Sequence, residues 1–160
     1  MPAIASIGVY GWTLDTWLEA LGAAKVRLVV DVRQRRGVRG TEYSRANAQR
    51  LEAALTEAGV AYEHRKELAP TTELRQLQYA EDDRVGVGKR SRVDLAPEYV
   101  ERYTREILGR VDLRPLVEQL SAVGSALLCV ERDPEACHRS LIADRLASEF
   151  GFSVAHLRPA

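Results

Sequence analysis

The stretch ALLCVERDPEACHRSLIADRL, residues 126–146, shows the structural unit on which the fold prediction is built. It continues the apolar run SALLCVE (125–131), whose length and composition are typical of a buried β-strand. Asp133 and Pro134 then predict the start of a helix, with Asp133 as the N-cap and Pro134 as the first helical residue. The helix is predicted to run to about Phe150. The stretch is therefore one strand followed by one helix.

The same alternation of strand and helix runs along the rest of the chain. Short apolar runs predict four further strands, over residues 3–9, 27–32, 60–65 and 153–157. Apolar residues at three- and four-residue spacing predict helices between them, one capped by Thr13 and another by Ser44. Alternating strands and helices form a parallel sheet between two helix layers. We therefore predict a three-layer, Rossmann-like α/β fold with a parallel sheet of about five strands and helices on both faces.

The length of the chain and the handedness of its crossovers restrict the topology further. A chain of 160 residues can bury one substantial core, so we predict a single α/β domain over residues 1–160. Right-handed crossovers leave few strand orders. We predict the order 3-2-1-4-5, with the flavodoxin-like order 2-1-3-4-5 as the alternative.

The composition limits the class of protein and its location. Lys+Arg and Asp+Glu both number 23, so the net charge points to no polyanionic partner. Two cysteines do not make a disulfide framework, and no apolar stretch approaches the length of a membrane span. The N-terminus lacks the basic start and long apolar middle of a secretory signal. These features predict a cytoplasmic protein with reduced thiols and no membrane partner; they leave the cofactor and the oligomeric state unknown.

Polar residues follow the ends of three predicted strands, where open parallel sheets bind their ligands. The segments that are predicted to meet at this edge are residues 8–12, 31–33 and 129–132. Residues two apart on a strand share a face, so we expect Asp31 to pair with Arg33 and Cys129 to pair with Glu131.

The start of the last helix brings three more reactive residues to the same edge. Cys137, His138 and Arg139 fall in its predicted first turns, where free N–H groups and the helix dipole favour an anion and a thiolate. His138 shares a helix face with Ile142 and Leu146 and should point toward the sheet. The planar guanidinium of Arg139 suits a phosphate or a carboxylate.

These observations predict an anion-binding pocket of the phosphate or nucleotide type at the carboxyl edge of the sheet. The candidate catalytic residues are Asp31, Cys129, Glu131, Cys137 and His138. The candidate anion-binding residues are Gly8, Tyr10, Gly11, Arg33, Arg132 and Arg139. A carboxylate would serve as general acid or base, and the thiols and the imidazole as nucleophile, proton donor or metal ligands.

The distribution of basic residues favours a phosphorylated partner. Residues 33–50 hold six arginines and one acidic residue, Glu42, and residues 84–92 hold four basic residues and no acidic one. Tyr10 and Tyr43 offer aromatic faces near the first cluster, and basic groups with aromatic rings suit a nucleotide or a single strand. The predicted partners are a phosphorylated small molecule, a nucleotide or a nucleic acid.

Other interpretations stay open. Cys129 could be a small buried hydrophobe, and the charged residues could form an ion-pair network that caps the sheet. Cys129, Cys137 and His138 are residue types that bind zinc or iron, but their spacing matches no standard structural site, so we assign no metal ligand. The open functions are an enzyme, a non-catalytic nucleotide or nucleic-acid binding module, and a cysteine-based metal or redox sensor.

Several segments of the chain resemble the domain of unknown function 488 family. They are SIGVYG (6–11), DVR (31–33), RGVRGTEYSRANAQRLEAAL (36–55), AYEH (61–64), LAP (68–70) and CVERDPEACHRSLIADRL (129–146). The most specific is Cys-x-Glu followed by Cys-His-Arg. The resemblance covers nearly the whole chain and implies a small Rossmann-like fold with a shared pocket and no settled activity. The loop QRRGVRG (34–40) and the pair Leu68-Ala69 depart from the family pattern, so no substrate common to the family is implied.

Overall fold

The computed structural model describes residues 2–38, 41–88 and 91–160. Within these ranges five strands form one parallel sheet: β1 (Ala3–Ile7), β2 (Leu28–Asp31), β3 (Ala61–His64), β4 (Ser125–Leu128) and β5 (Ser153–Leu157). The α-helices in the same ranges are α1 (Leu14–Ala23), α2 (Ala48–Glu57), α3 (Thr72–Val85), α4 (Pro97–Tyr103), α5 (Arg114–Ala122) and α6 (His138–Phe150). None of these helices is long and apolar enough to cross a lipid bilayer.

Each face of the sheet has its own apolar core. Helices α1 and α2 pack Trp17 and Leu55 against one face. Helices α3 to α6 pack Leu74, Tyr103 and Ile142 against the other. Because both faces are covered, the inner strands can be apolar at consecutive positions, which explains why their sequences do not alternate. The predicted three-layer α/β architecture is confirmed.

The strand order differs from both predicted orders. The sheet runs β3-β2-β4-β1-β5, so the prediction 3-2-1-4-5 and its alternative are wrong. Strand β4 lies between β2 and β1 and pairs in parallel with both. A run of apolar residues shows that a strand is covered on both faces, but the backbone hydrogen bonds that select its neighbours do not depend on side-chain type. The expected contact between the first and fourth strands is present.

The sequence predicts the N-cap of the first helix correctly and that of the second incorrectly. Thr13 caps α1 as predicted, because its side chain accepts a hydrogen bond from the backbone N–H of Thr16. The prediction that Ser44 caps α2 is wrong, since Ser44 lies in a short 3₁₀ helix (Thr41–Ala46). Helix α2 begins after Asn47, whose side-chain oxygen accepts a hydrogen bond from the N–H of Val38 at 2.6 Å.

Helix α6 begins later than predicted. Pro134–Ala136 forms a short 3₁₀ helix with Asp133 at its N-cap position but without a side-chain capping hydrogen bond, so the prediction that Asp133 caps the long helix is wrong. The N-cap is Cys137, which has an extended backbone (φ −138°, ψ 144°) and accepts a hydrogen bond on Sγ from the N–H of Arg139 at 3.5 Å. The extended backbone at Cys137 and the helical backbone from His138 onward place these two side chains next to each other.

The ends of β1 and β4 approach each other closely at a glycine. The backbone N–H groups of Val9 and Tyr10 both donate to the carbonyl of Val130, at 2.9 and 3.1 Å. A Cβ atom on Gly8 would lie 1.9 Å from the carbonyl oxygen of Glu131. Gly8 is therefore required by backbone packing at this edge of the sheet.

We expect Gly8→Ala to lower the free energy of unfolding by at least about 2 kcal/mol, because the added methyl group overlaps backbone atoms that cannot rotate away. Urea unfolding followed by circular dichroism measures the change. The matched control is Gly22→Ala in α1, where nothing lies within 4 Å of the added carbon. That change should keep or slightly raise stability, since alanine is the better helix former by about 1 kcal/mol. Equal stability of the two variants would contradict the packing role of Gly8.

Candidate functional site

A cavity lies at the carboxyl edge of the sheet. The space between its lining atoms is about 500 Å³ when open solvent is included, and the centres of water molecules can occupy about 60 Å³. The segments after β2 and β4, helix α3, residues 92–99 and the start of α6 contribute to its wall. Among the predicted site residues, those that line it are Arg33, Cys129, Glu131, Cys137 and His138. The structure thus brings together the residues from the ends of β2 and β4 and from the start of α6.

Asp31 and Arg33 form a buried ion pair behind the cavity wall. The Nε and Nη2 atoms of Arg33 donate to the two carboxylate oxygens of Asp31 at 2.9 and 2.8 Å, and Nη1 donates to the carbonyl of Ala46 at 2.9 Å. Burial opposes the charge on Arg33, but the hydrogen bond and the negative charge of Asp31 raise the pKa of the guanidinium above its ordinary value. The two residues are in contact, as their spacing predicts; Asp31 itself does not line the cavity.

The hydroxyl of Tyr62 completes the environment of this ion pair. It donates to Asp31 Oδ2 at 2.5 Å. Burial, together with the hydrogen bond to Asp31, raises the pKa of Tyr62 to about 12, so the hydroxyl stays protonated at neutral pH. Asp31 therefore accepts hydrogen bonds from Tyr62 as well as Arg33, which fits a role in positioning Arg33.

Two thiols and an imidazole lie at the inner end of the cavity. The Sγ atoms of Cys129 and Cys137 are both 3.8 Å from Nδ1 of His138. The other ring nitrogen, Nε2, donates to the carbonyl oxygen of Val32 at 2.7 Å. That hydrogen bond turns Nδ1 toward the two sulfur atoms. All three side chains are buried.

The two thiols have opposite protonation preferences. Burial raises the pKa of Cys129 well above its ordinary value, and the neighbouring Cys137 raises it further. Burial also opposes ionisation of Cys137, but a hydrogen bond from Cys129 and the positive charges of His138 and Arg139 hold its pKa well below the ordinary value. Burial opposes the charge on His138 too, yet the adjacent Cys137 raises the pKa of the imidazole. Of the two thiols, Cys137 is thus the one whose surroundings favour ionisation.

Glu131 lies beside the thiols and joins a second buried ion-pair group. One carboxylate oxygen is 3.5 Å from Cys129 Sγ, and the other is 3.4 Å from Nη1 of Arg92. Arg92 also donates from Nε and Nη2 to Asp82 at 2.9 and 2.7 Å. Burial opposes the charge on Arg92, but Asp82 and Glu131 raise the pKa of its guanidinium. The contact between Cys129 and Glu131 agrees with the prediction that they share a face.

Two further arginines line the outer part of the cavity. Arg35 is exposed, and Arg75 is half-buried and donates to the Gln34 side-chain oxygen at 2.8 Å and to the Tyr79 hydroxyl at 3.0 Å. Within the described ranges, no carboxylate lies within ion-pair distance of Arg35 or Arg75. These two cations therefore keep their charge available for a ligand.

Arg139 is predicted to bind an anion but lies outside the cavity wall. Its guanidinium is fully buried and donates to Ser6 Oγ at 3.2 Å, to the carbonyl of Glu131 at 2.8 Å and to that of Arg132 at 3.3 Å. Arg132 does not line the cavity either; its side chain is mostly exposed and pairs with Asp133.

The glycine turn after β1 also lies apart from the cavity. Gly11 has a left-handed backbone (φ 87°), and its N–H donates to the Tyr43 hydroxyl at 3.0 Å. Tyr10 packs edge to face with Tyr43 in the core between α1, α2 and the sheet, with ring centroids 5.1 Å apart. Gly8 serves the close packing described above. The basic residues Arg39, Lys89 and Arg90 lie outside the described residues.

Sequence reasoning missed part of the cavity wall. The missed polar residues of the wall include Arg75, Gln78, Tyr79 and Arg92. Most of them come from α3, whose polar sequence carries a weak helical pattern. Residues 84–92 are basic and contain no acidic residue, so the sequence indicates a charged surface. Nothing in the sequence distinguishes Arg92, which is buried, from the other basic residues of this segment.

The fold and this cavity define a Rossmann-like α/β domain with a cationic pocket beyond the carboxyl ends of its strands. A family model described as Domain of unknown function DUF488 matches residues 13–146, which is most of the 160-residue chain. The protein belongs to this family. No curated protein and no solved structure matches the chain.

We expect Asp31→Ala to lower the free energy of unfolding by about 3 to 5 kcal/mol, because it leaves the charge of Arg33 buried without a partner. Urea unfolding is the measurement. The control, Asp112→Ala, removes an exposed ion pair with Arg114 and should change stability by less than about 1 kcal/mol. A loss no larger than that of the control would show that the buried pair does not stabilise the site.

Proposed function

We propose that this protein is an enzyme that binds a phosphorylated small molecule, a nucleotide or a nucleic-acid end in this cavity and acts on it at the inner end. The observation that carries the proposal is the wall itself. Four arginines, Arg33, Arg35, Arg75 and Arg92, line one cavity whose inner end holds two thiols, an imidazole and a carboxylate. Guanidinium groups bind phosphate oxygens through paired N–H donors.

The four arginines divide into two pairs with different roles. Arg33 and Arg92 are buried and are held by Asp31 and Asp82, so their positions are set before a ligand binds. Arg35 and Arg75 carry charge that no described carboxylate balances. The second pair supplies the attraction for an anion, and the first pair offers oriented cations along its path.

An aromatic ring on the same wall favours a nucleotide over a simple phosphate ester. Tyr79 lines the cavity, with the guanidinium carbons of Arg75 and Arg92 5.7 and 5.9 Å from its ring centre. Aromatic side chains next to arginines stack nucleobases without strong sequence preference. This combination suits a base next to the phosphate.

The groups at the inner end have the types needed for acid–base and nucleophilic chemistry. The carboxylate of Glu131 is in reach of Cys129, and the imidazole of His138 is in reach of both thiols. In the proposal Glu131 acts as general acid or base, and Cys129, Cys137 and His138 act as nucleophile, proton donor or metal ligands. Asp31 positions Arg33. The cavity gives no support to an anion-binding role for Gly8, Tyr10, Gly11, Arg132 or Arg139.

We expect Arg75→Gln and Arg35→Gln each to weaken the binding of AMP by about tenfold or more, because a hydrogen bond to a charged group contributes about 1.5 to 3 kcal/mol. Isothermal titration calorimetry with AMP and with inorganic phosphate measures the affinities. The control is Arg114→Gln, whose side chain is exposed and pairs with Asp112 away from the cavity. Wild-type affinity for both ligands in the Arg75 and Arg35 variants would refute the proposed binding site.

The catalytic part of the proposal has its own readout. Conversion of AMP and of a 5′-phosphorylated dinucleotide is followed by ³¹P NMR. Glu131→Gln keeps the shape of the side chain and removes its charge, so we expect it to abolish conversion and retain binding. Tight binding with no conversion by the wild-type protein would favour a non-catalytic binding module.

A further inference from the structure

The inner end of the cavity contains three side chains of the kind that bind soft metal ions. We infer that Cys129, Cys137 and His138 form a binding site for a divalent transition metal of the zinc class. Their ligand atoms all lie within 4.8 Å of one another. They come from two parts of the chain, the end of β4 and the start of α6, so the fold itself assembles the group.

The two nitrogen–sulfur distances are close to those of a tetrahedral centre. Zinc lies about 2.3 Å from sulfur and about 2.0 Å from nitrogen, which places a sulfur and a nitrogen ligand roughly 3.6 Å apart. In this protein Nδ1 of His138 is 3.8 Å from Cys129 Sγ and 3.8 Å from Cys137 Sγ. A small inward shift of the side chains is enough to close the site around an ion.

The imidazole is oriented as a metal ligand independently of the thiols. Nε2 of His138 donates to the carbonyl of Val32 at 2.7 Å, which leaves Nδ1 as the nitrogen that faces the sulfur atoms. Metal-binding histidines almost always donate their second ring N–H to a carbonyl or a carboxylate in this way. The ring of Tyr103 packs against the imidazole, with centroids 5.6 Å apart, and restricts its rotation.

The local backbone allows the two consecutive residues Cys137 and His138 to reach one ion. Within a regular helix the side chains of consecutive residues diverge by about 100°. Cys137 is instead the extended N-cap residue, and His138 is the first residue of α6. Their side chains therefore converge, which the sequence spacing alone does not reveal.

The site has the form of a catalytic metal centre. Structural zinc sites have four protein ligands, whereas catalytic sites have three and leave the fourth position to water or substrate. All three ligand residues line the cavity, so the fourth position faces the bound molecule. Thiolate ligands select zinc-like ions over magnesium and calcium. This role of the fourth position rests on the proposed function, because it places a phosphate oxygen or a water molecule on the ion.

The decisive experiment uses the full-length, untagged protein purified without chelating resin. Elemental analysis should find about one equivalent of zinc or a similar metal per chain. Metal-free protein titrated with cobalt(II) should bind one equivalent and develop the visible absorption of tetrahedral cobalt and the near-ultraviolet absorption of cobalt–thiolate bonds. Both thiols should react with a thiol reagent in the metal-free protein and be protected in the loaded protein.

The variants assign the ligands. Cys129→Ser, Cys137→Ser and His138→Gln should each weaken cobalt binding at least tenfold and alter or abolish the thiolate absorption. The matched control, His156→Gln, changes a histidine of β5 that does not line the cavity, and it should keep the wild-type spectrum. Circular dichroism checks that each variant is folded. The titration of the wild-type protein tests the proposal even where a variant fails to fold.

The metal site would be refuted if the protein contained no stoichiometric metal and gave no cobalt spectrum. A cobalt spectrum without thiolate absorption would also refute it. So would a folded cysteine variant that binds cobalt as tightly as the wild type. Oxidation of the metal-free protein to a Cys129–Cys137 disulfide that no metal prevents would do the same. The cobalt titration contains no phosphate ligand, and the AMP titration is run on metal-free protein. Each proposal therefore fails on its own measurement.

Discussion

The site depends on one buried guanidinium that bonds to protein groups. Arg139, at the start of α6, donates to the carbonyls of Glu131 and Arg132 and to the hydroxyl of Ser6 in β1. In the described part of the chain it forms no ion pair, so these neutral acceptors offset the cost of burying its charge. The bonds hold the loop after β4 against the helix start. As a result Cys129 meets His138, although nine positions separate them.

Backbone carbonyls orient the other polar side chains of the cavity in the same way. His138 donates to Val32, Arg33 donates to Ala46 and Arg92 donates to Ala136. Each of these acceptors belongs to a segment that packing fixes, so the side chains are held without a ligand. Groups held in this way interact with a bound molecule at little cost in reorganisation. The protein's own backbone therefore fixes these side chains in the cavity wall.

Side-chain contacts are predicted best from the sequence where residues follow the regular period of a strand or a helix. The period of two along a strand pairs Asp31 with Arg33 and Cys129 with Glu131, and both contacts are present. The strand order could not be predicted in this way, because the apolar sequence of β4 does not determine which strands pair with it. Arg92 belongs to an irregular segment without period, so only the folded chain shows that it is buried. Arg139 is predicted to bind an anion because a sequence does not show which backbone carbonyls accept hydrogen bonds from a side chain. In the structure two such carbonyls accept from its guanidinium.

Charge is distributed unevenly among the residues that line the cavity. At the inner end a divalent ion would neutralise the two thiolates, and Arg92 already faces Glu131. The arginines without a described carboxylate partner, Arg35 and Arg75, lie farther out, where Arg35 is exposed to solvent. Under the proposed function, an anion would be attracted to the outer part because its charge offsets that of these two arginines. Under the same proposal, the reacting atom of the ligand would extend inward to groups whose charges the protein already balances.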